Sequence, residues 1–189
     1  MKRILELRAS AVVLTLSLLL LAAGCSGVSG DPREQANDAI ATANETIAEH
    51  DRLFGESRET YEGAREAIEG GEDPEEQAER VAQARETLSE ARASLEEARE
   101  PLLEVQDLDV EPEIKEYAGL VAEAMDAQLG AESREMEFYE ILENDPILRD
   151  DRERALDVLS EVEDGYARAE ASYARSREVA DANPELIGG

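Results

Sequence analysis

Apolar residues in this chain recur every seven positions over most of its length. Ile40, Ile47, Phe54, Tyr61 and Ile68 form one series, and Ala36, Ala43, His50, Ser57 and Ala64 run beside it. Further along, Val81, Leu88, Leu95 and Leu102 alternate with Ala84, Ala91, Ala98 and Val105. Near the end, Leu159, Tyr166 and Tyr173 alternate with Ala155, Val162 and Ala169. Such a/d heptads, with large residues at one position and Ala at the other, predict long helices packed as in coiled coils. Between the second and last series the rhythm is less regular. Ile114, Ala118, Val121 and Met125 start one register, which then drifts to Leu129, Met136 and Tyr139. That drift resembles an inserted stutter. No alternating strand pattern occurs.

Proline punctuates the pattern. Asp31-Pro32, Asp73-Pro74, Glu111-Pro112 and Asp145-Pro146 each stand before a helical stretch, and Asn183-Pro184 follows the last. Aspartate accepts bonds at an N-cap, and Pro is tolerated in the first turn. Glu34 and Glu76 follow their caps by three residues, as in a capping box. The predicted stretches are about 32–69, 74–106, 112–143 and 146–182. Short connections make successive helices antiparallel. The expected fold is all-α, an antiparallel up-down-up-down four-helix bundle with coiled-coil-like heptad packing, monomeric, over residues 31–183. Residues 184–189 are expected to form a C-terminal tail. Pro101 falls inside the second stretch, where a kink or an early break is expected.

Composition narrows the function. Of the 189 residues, 47 are acidic and 19 are Lys or Arg, giving a net charge of −28. Nucleic-acid binding depends on Lys and Arg, so no nucleic-acid partner is expected. There is one Cys and one His, too few for a disulfide framework or a Cys/His zinc site. The start of the chain is different in kind. Lys2, Arg3 and Arg8 precede an apolar run from Ala11 to Ala23 that is too short to cross a bilayer, where about 20 residues are needed. A basic start and a short apolar run read as a secretory signal peptide, residues 1–24.

That run ends in Leu21-Ala22-Ala23-Gly24-Cys25. The segment resembles the lipobox of bacterial lipoproteins, with small residues and Gly before an obligatory Cys. Leu usually stands three places before that Cys; here Ala22 does, with Leu21 one place earlier. The resemblance covers residues 1–26 only. It implies diacylglycerol on Cys25, removal of residues 1–24, and attachment to the outer face of a membrane, with palmitate-type chains as the anchor. Ser26 to Gly30 would follow the lipidated Cys25 as a flexible tether. Losing Lys2, Arg3, Arg8 and Glu6 takes the net charge from −28 to −30.

Candidate chemistry in the rest of the chain is sparse. A ferritin-like di-iron site needs Glu-x-x-His on two helices, but Ile47 stands three before His50 and there is no second His. Asp107, Asp109, Glu111 and Glu113 crowd one turn without the Gly and closing Glu of an EF-hand, so a solvated turn is expected rather than a cation site. Nucleophile-elbow and phosphate-loop signatures are missing, and neither enzymatic activity nor a cofactor is expected. Tyr61, Tyr139, Tyr166 and Tyr173, with Phe54, Phe138, Met125 and Met136, suit an ordinary core better than a pocket. His50 and Gln128 fall at nominal core positions, and Tyr166 brings a hydroxyl to the same height. A polar layer of His50, Gln128 and Tyr166 is therefore expected at mid-bundle, because buried polar groups need partners. The sequence points to an exported structural or interaction module with an unidentified protein partner. Its alternative is a bundle that takes a small apolar ligand or a cation.

Overall fold

The computed structural model describes residues 31–187; the signal peptide, Cys25 and the tether lie outside the described residues. The chain forms helices α1 (Pro32–Glu69), α2 (Pro74–Glu104), α3 (Pro112–Asn144) and α4 (Arg152–Ala182), followed by the short α5 (Pro184–Ile187). The first four are long, antiparallel and packed against one another in an all-α bundle. At 1.5 Å per residue, the 38 residues of α1 span about 57 Å.

The start signals of α1 and α2 act as their chemistry predicts. Asp31 Oδ1 accepts the Arg33 N–H at 3.1 Å and Asp73 Oδ1 accepts the Glu75 N–H at 3.0 Å. At α3, Glu111 caps without a side-chain bond. Asp145-Pro146 opens no helix: α4 begins at Arg152, and residues 145–151 form a loop. Asp145 instead ends α3 and turns its carboxylate onto the N–H groups of Asp150 and Asp151, at 2.8 and 3.3 Å. The loop passes through Leu148 at φ 52°, a left-handed conformation that side chains with a Cβ rarely adopt. Leu148 packs on the nearby core, which holds it there.

Pro101 does not break α2 early. The helix runs through it to Glu104 and then tightens into a 3-10 turn over Val105–Asp107. Only its last turn lies beyond Pro101, so little helix depends on the missing N–H. Gln106 and Lys115 clasp the following connection, each side chain donating to the other's carbonyl, at 2.8 and 2.9 Å.

The seams explain the close pairs. Ser57 donates its hydroxyl to the Ala84 carbonyl at 2.7 Å, which fixes the register of α1 on α2. Counting antiparallel from that bond places Ala36 opposite Val105, Ala43 opposite Ala98, His50 opposite Ala91, and Ala64 opposite Gln77. All of these residues are buried. Small side chains let two backbones approach. On the other side, a Cβ added at Gly165 of α4 would lie 2.7 Å from the Ala131 Cβ of α3, so those helices also run close. Backbones approach within α1–α2, α3–α4 and α2–α3, whereas α1 and α4 scarcely do. The half-buried residues of that fourth side are large: Phe54 and Tyr61 on α1, and Leu159, Tyr166 and Tyr173 on α4. The bundle is closed at α2–α3 and spread at α1–α4.

The apparent stutter in α3 has a simpler cause. Its inner seam runs Ile114, Ala118, Val121, Met125, Gln128, Glu132, Glu135, Tyr139 without a skip, and Glu132 and Glu135 are buried. Two carboxylates at core positions disguise an unbroken heptad. Residues 184–187 are likewise no loose tail. Leu186 and Ile187 pack against the buried cluster that includes Ala36 and Ile114, and Arg33 donates to the Glu185 carbonyl at 2.8 Å.

Candidate functional site at the waist

The apolar core is in two parts. One lies near the start of α1 and includes Ala36, Ala43, Leu95, Leu102, Ile114 and Met125. The other lies toward the far end and includes Ala64, Val81, Leu88, Phe138, Tyr139 and Val162. Between them α1, α3 and α4 contribute a belt of polar side chains.

His50 is 1% exposed and Glu132 is 0% exposed. The His50 Nε2 donates to Glu132 Oε1 at 2.8 Å, and Nδ1 donates to Asp51 Oδ1 at 3.0 Å. Burial alone would lower the imidazole's pKa. The bonds to Asp51 and Glu132 outweigh it and raise the value to about 9, so the ring is an imidazolium at neutral pH. Gln128 Nε2 donates to the same Glu132 oxygen at 3.0 Å and lies 3.2 Å from His50 Nε2. Tyr173 in turn donates to Gln128 Oε1 at 3.1 Å. Among the described residues, the other Glu132 oxygen, Oε2, finds no hydrogen-bond partner.

One turn further along α3, Glu135 is the centre of a second cluster. Tyr139 donates to its Oε1 at 2.9 Å; Tyr166 and Arg58 donate to its Oε2 at 2.6 and 2.9 Å. The Arg58 guanidinium lies 4.9 Å from the Phe54 ring centre and 5.4 Å from that of Tyr166. Burial opposes the Arg58 charge, and Glu135 more than offsets it. Burial also pushes the Tyr139 and Tyr166 hydroxyls well above their usual range, with the Glu135 charge adding to the effect. The phenols therefore stay protonated as donors. Phe54 bridges the clusters, stacked on His50 at 5.6 Å and edge-on to Tyr166 at 6.0 Å.

The structure thus brings His50 and Gln128 together, with Glu132 as their shared acceptor. Tyr166 belongs to the adjacent Glu135 cluster rather than to the His50 bond network. Sequence reasoning missed Glu132, Glu135 and Arg58. The available signal was arithmetic, since residues 132 and 135 continue the heptad that starts at Ile114. The expected aromatic residues are engaged with one another: Tyr61 lies 4.9 Å from Tyr139 and 6.0 Å from Phe138 between ring centres. In the acidic turn, Glu111 lies 3.6 Å from the Arg33 guanidinium. Among the described residues, no three His, Cys, Asp or Glu side chains converge as a metal ion requires. No helix among them is long and apolar enough to cross a membrane.

The chemistry of this belt is charge pairing. Two cations, His50 and Arg58, sit on α1, and two anions, Glu132 and Glu135, sit on α3. Each pair spans the bundle, and hydroxyl and amide donors from α3 and α4 surround the anions. No protein-family model matches the chain, and neither a curated protein nor a solved structure is significantly similar to it.

Proposed function

We propose that this protein is an exported lipoprotein, held on the outer face of a membrane by diacylglycerol on Cys25, whose bundle is a non-enzymatic structural or interaction module. The sequence feature that carries the reading is Gly24-Cys25 at the end of a basic-then-apolar leader, the chain's single Cys standing at that one place. Two acyl chains supply the double anchor that stable attachment needs. The bundle supports the second half of the proposal. Its ionisable waist groups are committed to one another across helices, which suits a scaffold. Partner recognition then falls to the outer helix faces, where acidic side chains predominate. A partner surface carrying Lys and Arg fits such faces by charge.

The test is Cys25→Ser in the native host. The wild type should incorporate labelled fatty acid and sediment with membranes, and the variant should do neither. Retention of the variant in the membrane fraction would show that something other than lipid holds it. Cross-linking of the anchored wild type in its own cells then addresses the interaction role. A protein adduct that disappears when exposed acids of α1 and α2 are exchanged for Lys supports it.

A further inference from the structure

The seams divide the molecule unevenly. Within α1–α2 the join is buried and small-sided, with Ser57 bonded to the Ala84 carbonyl and Ala43 opposite Ala98. Within α3–α4, Ala131 and Gly165 bring the backbones together. Each hairpin is therefore a tightly packed unit. The two hairpins join closely along α2–α3. On the opposite side, where α1 and α4 stand apart, long side chains reach inward at the waist: Phe54 and Arg58 of α1 lie against Tyr166 of α4, and His50 and Arg58 cross to Glu132 and Glu135 of α3. His50, Glu132 and Glu135 are buried and Arg58 is half-buried, and among the described residues one carboxylate oxygen there, Glu132 Oε2, has no hydrogen-bond partner.

We propose that the bundle is a clasp of two rigid hairpins, α1–α2 and α3–α4, that part along the α1–α4 side about the α2–α3 join when the latch pairs His50–Glu132 and Arg58–Glu135 lose a charge. A buried pair broken on one side leaves an uncompensated ion, which must reach water. Water enters most readily at the spread side, because the backbones approach along α1–α2, α2–α3 and α3–α4 but scarcely along α1–α4. Parting the hairpins hydrates Glu132 or Glu135 without unpacking either hairpin. Movements of packed helices about a join are an ordinary form of conformational switching. Facing His50 are Asp51 from α1, Glu132 and Gln128 from α3, and Tyr173 from α4 through Gln128. From α2 the register places apolar Ala91 opposite it, so no further charge on that helix replaces a lost one. The clasp opens to Phe54, Tyr61 and Tyr166, which then form an apolar inner face. The inference holds whether or not Cys25 carries lipid.

Spin-label distances test it. In the full chain with Cys25→Ser, cysteine pairs are introduced at exposed positions. The pair Glu59 and Glu163 spans α1–α4. Glu59 with Glu86 spans α1–α2, and Ser133 with Glu163 spans α3–α4. Between pH 7 and pH 10 the α1–α4 distribution should gain a second, longer population as His50 loses its proton, while the two within-hairpin distributions and the helical circular dichroism stay unchanged. His50→Leu and Arg58→Met should each show that longer population already at pH 7. The double variant His50→Leu with Glu132→Leu, which removes both charges, should stay closed at both values. An α1–α4 distance that remains single in the wild type at pH 10 overturns the clasp. So does simultaneous broadening of all three distances with loss of helicity, which is melting as one unit. If a single variant fails to fold, the wild-type pH series alone decides.

Discussion

His50 is the residue where a single proton counts most. Its folded pKa of about 9 lies above the 6.5 of an unfolded histidine. The stabilisation it brings is therefore complete below about pH 6.5 and is lost as pH rises toward 9. A shift of that size corresponds to about 3 kcal/mol. Urea titrations at pH 6 and pH 9.5 should show a loss of that order, and His50→Leu with Glu132→Leu should flatten the dependence. A rise in stability over the same interval would show that His50 is neutral in the fold. His50→Leu alone should cost about 3–5 kcal/mol, because it strands Glu132 at zero exposure. His50 could be found in the sequence because an imidazole stands out in a row of small residues, and Gln128 because it directly continues the apolar run Ile114, Ala118, Val121 and Met125. Glu132 and Glu135 could not be picked out so easily. With 47 acidic residues in the chain, a carboxylate carries almost no information by its type. Only its place in the heptad distinguishes it, and in α3 the two acids together obscured the heptad itself.

At the scale of the element, the α1 and α2 seams were legible because Leu, Ile, Val or aromatic residues recur every seven positions beside a row that is mostly Ala, with only His50 and Ser57 polar in the α1 row. Their energetics follow from burial. Leu95→Ala, at a fully buried site, should cost about 2–5 kcal/mol through lost contacts and a cavity. Ala91→Leu should cost about 1–3 kcal/mol by overpacking a seam with no spare room. Glycines in helices offer a sharper pair. Ala is favoured over Gly by about 1 kcal/mol in a helix interior. At Gly130 a Cβ meets nothing within 4 Å, and Gly130→Ala should raise the melting temperature. At Gly165 the new Cβ would collide with Ala131 at 2.7 Å, and Gly165→Ala should lower it despite the better propensity. Equal effects at the two sites would mean that α3 and α4 are not closely joined. The start of α4 was misplaced from sequence for a local reason. Asp145-Pro146 has the chemistry of a helix start, but Asp145 bonds forward to Asp150 and Asp151 and holds a loop together instead.

At the scale of the whole molecule, charge opposes compactness. Ion pairs such as Arg52 with Glu49 and Glu56 are half-exposed and contribute little each. They leave most acids without a cation, since acidic side chains outnumber basic ones by more than two to one. Stability should therefore rise from about 10 mM to about 1 M NaCl, as the Debye length falls from about 30 Å to about 3 Å. A melting temperature that is flat or falls with salt would show that the surface pairs outweigh the repulsion. An even number of antiparallel helices also returns the chain to the pole where it began. There Arg33, next to the start of α1, grips the Glu185 carbonyl in α5. That geometry has a mechanical consequence. A pull on Asp31 against a hold at the far turns would load α1 in shear along its length, engaging the Ser57–Ala84 bond and every alanine contact at once. A pull between Asp31 and Ile187 would start instead at the Arg33 grip and peel the contacts one turn at a time. The same fold should resist force in the first direction far more strongly than in the second.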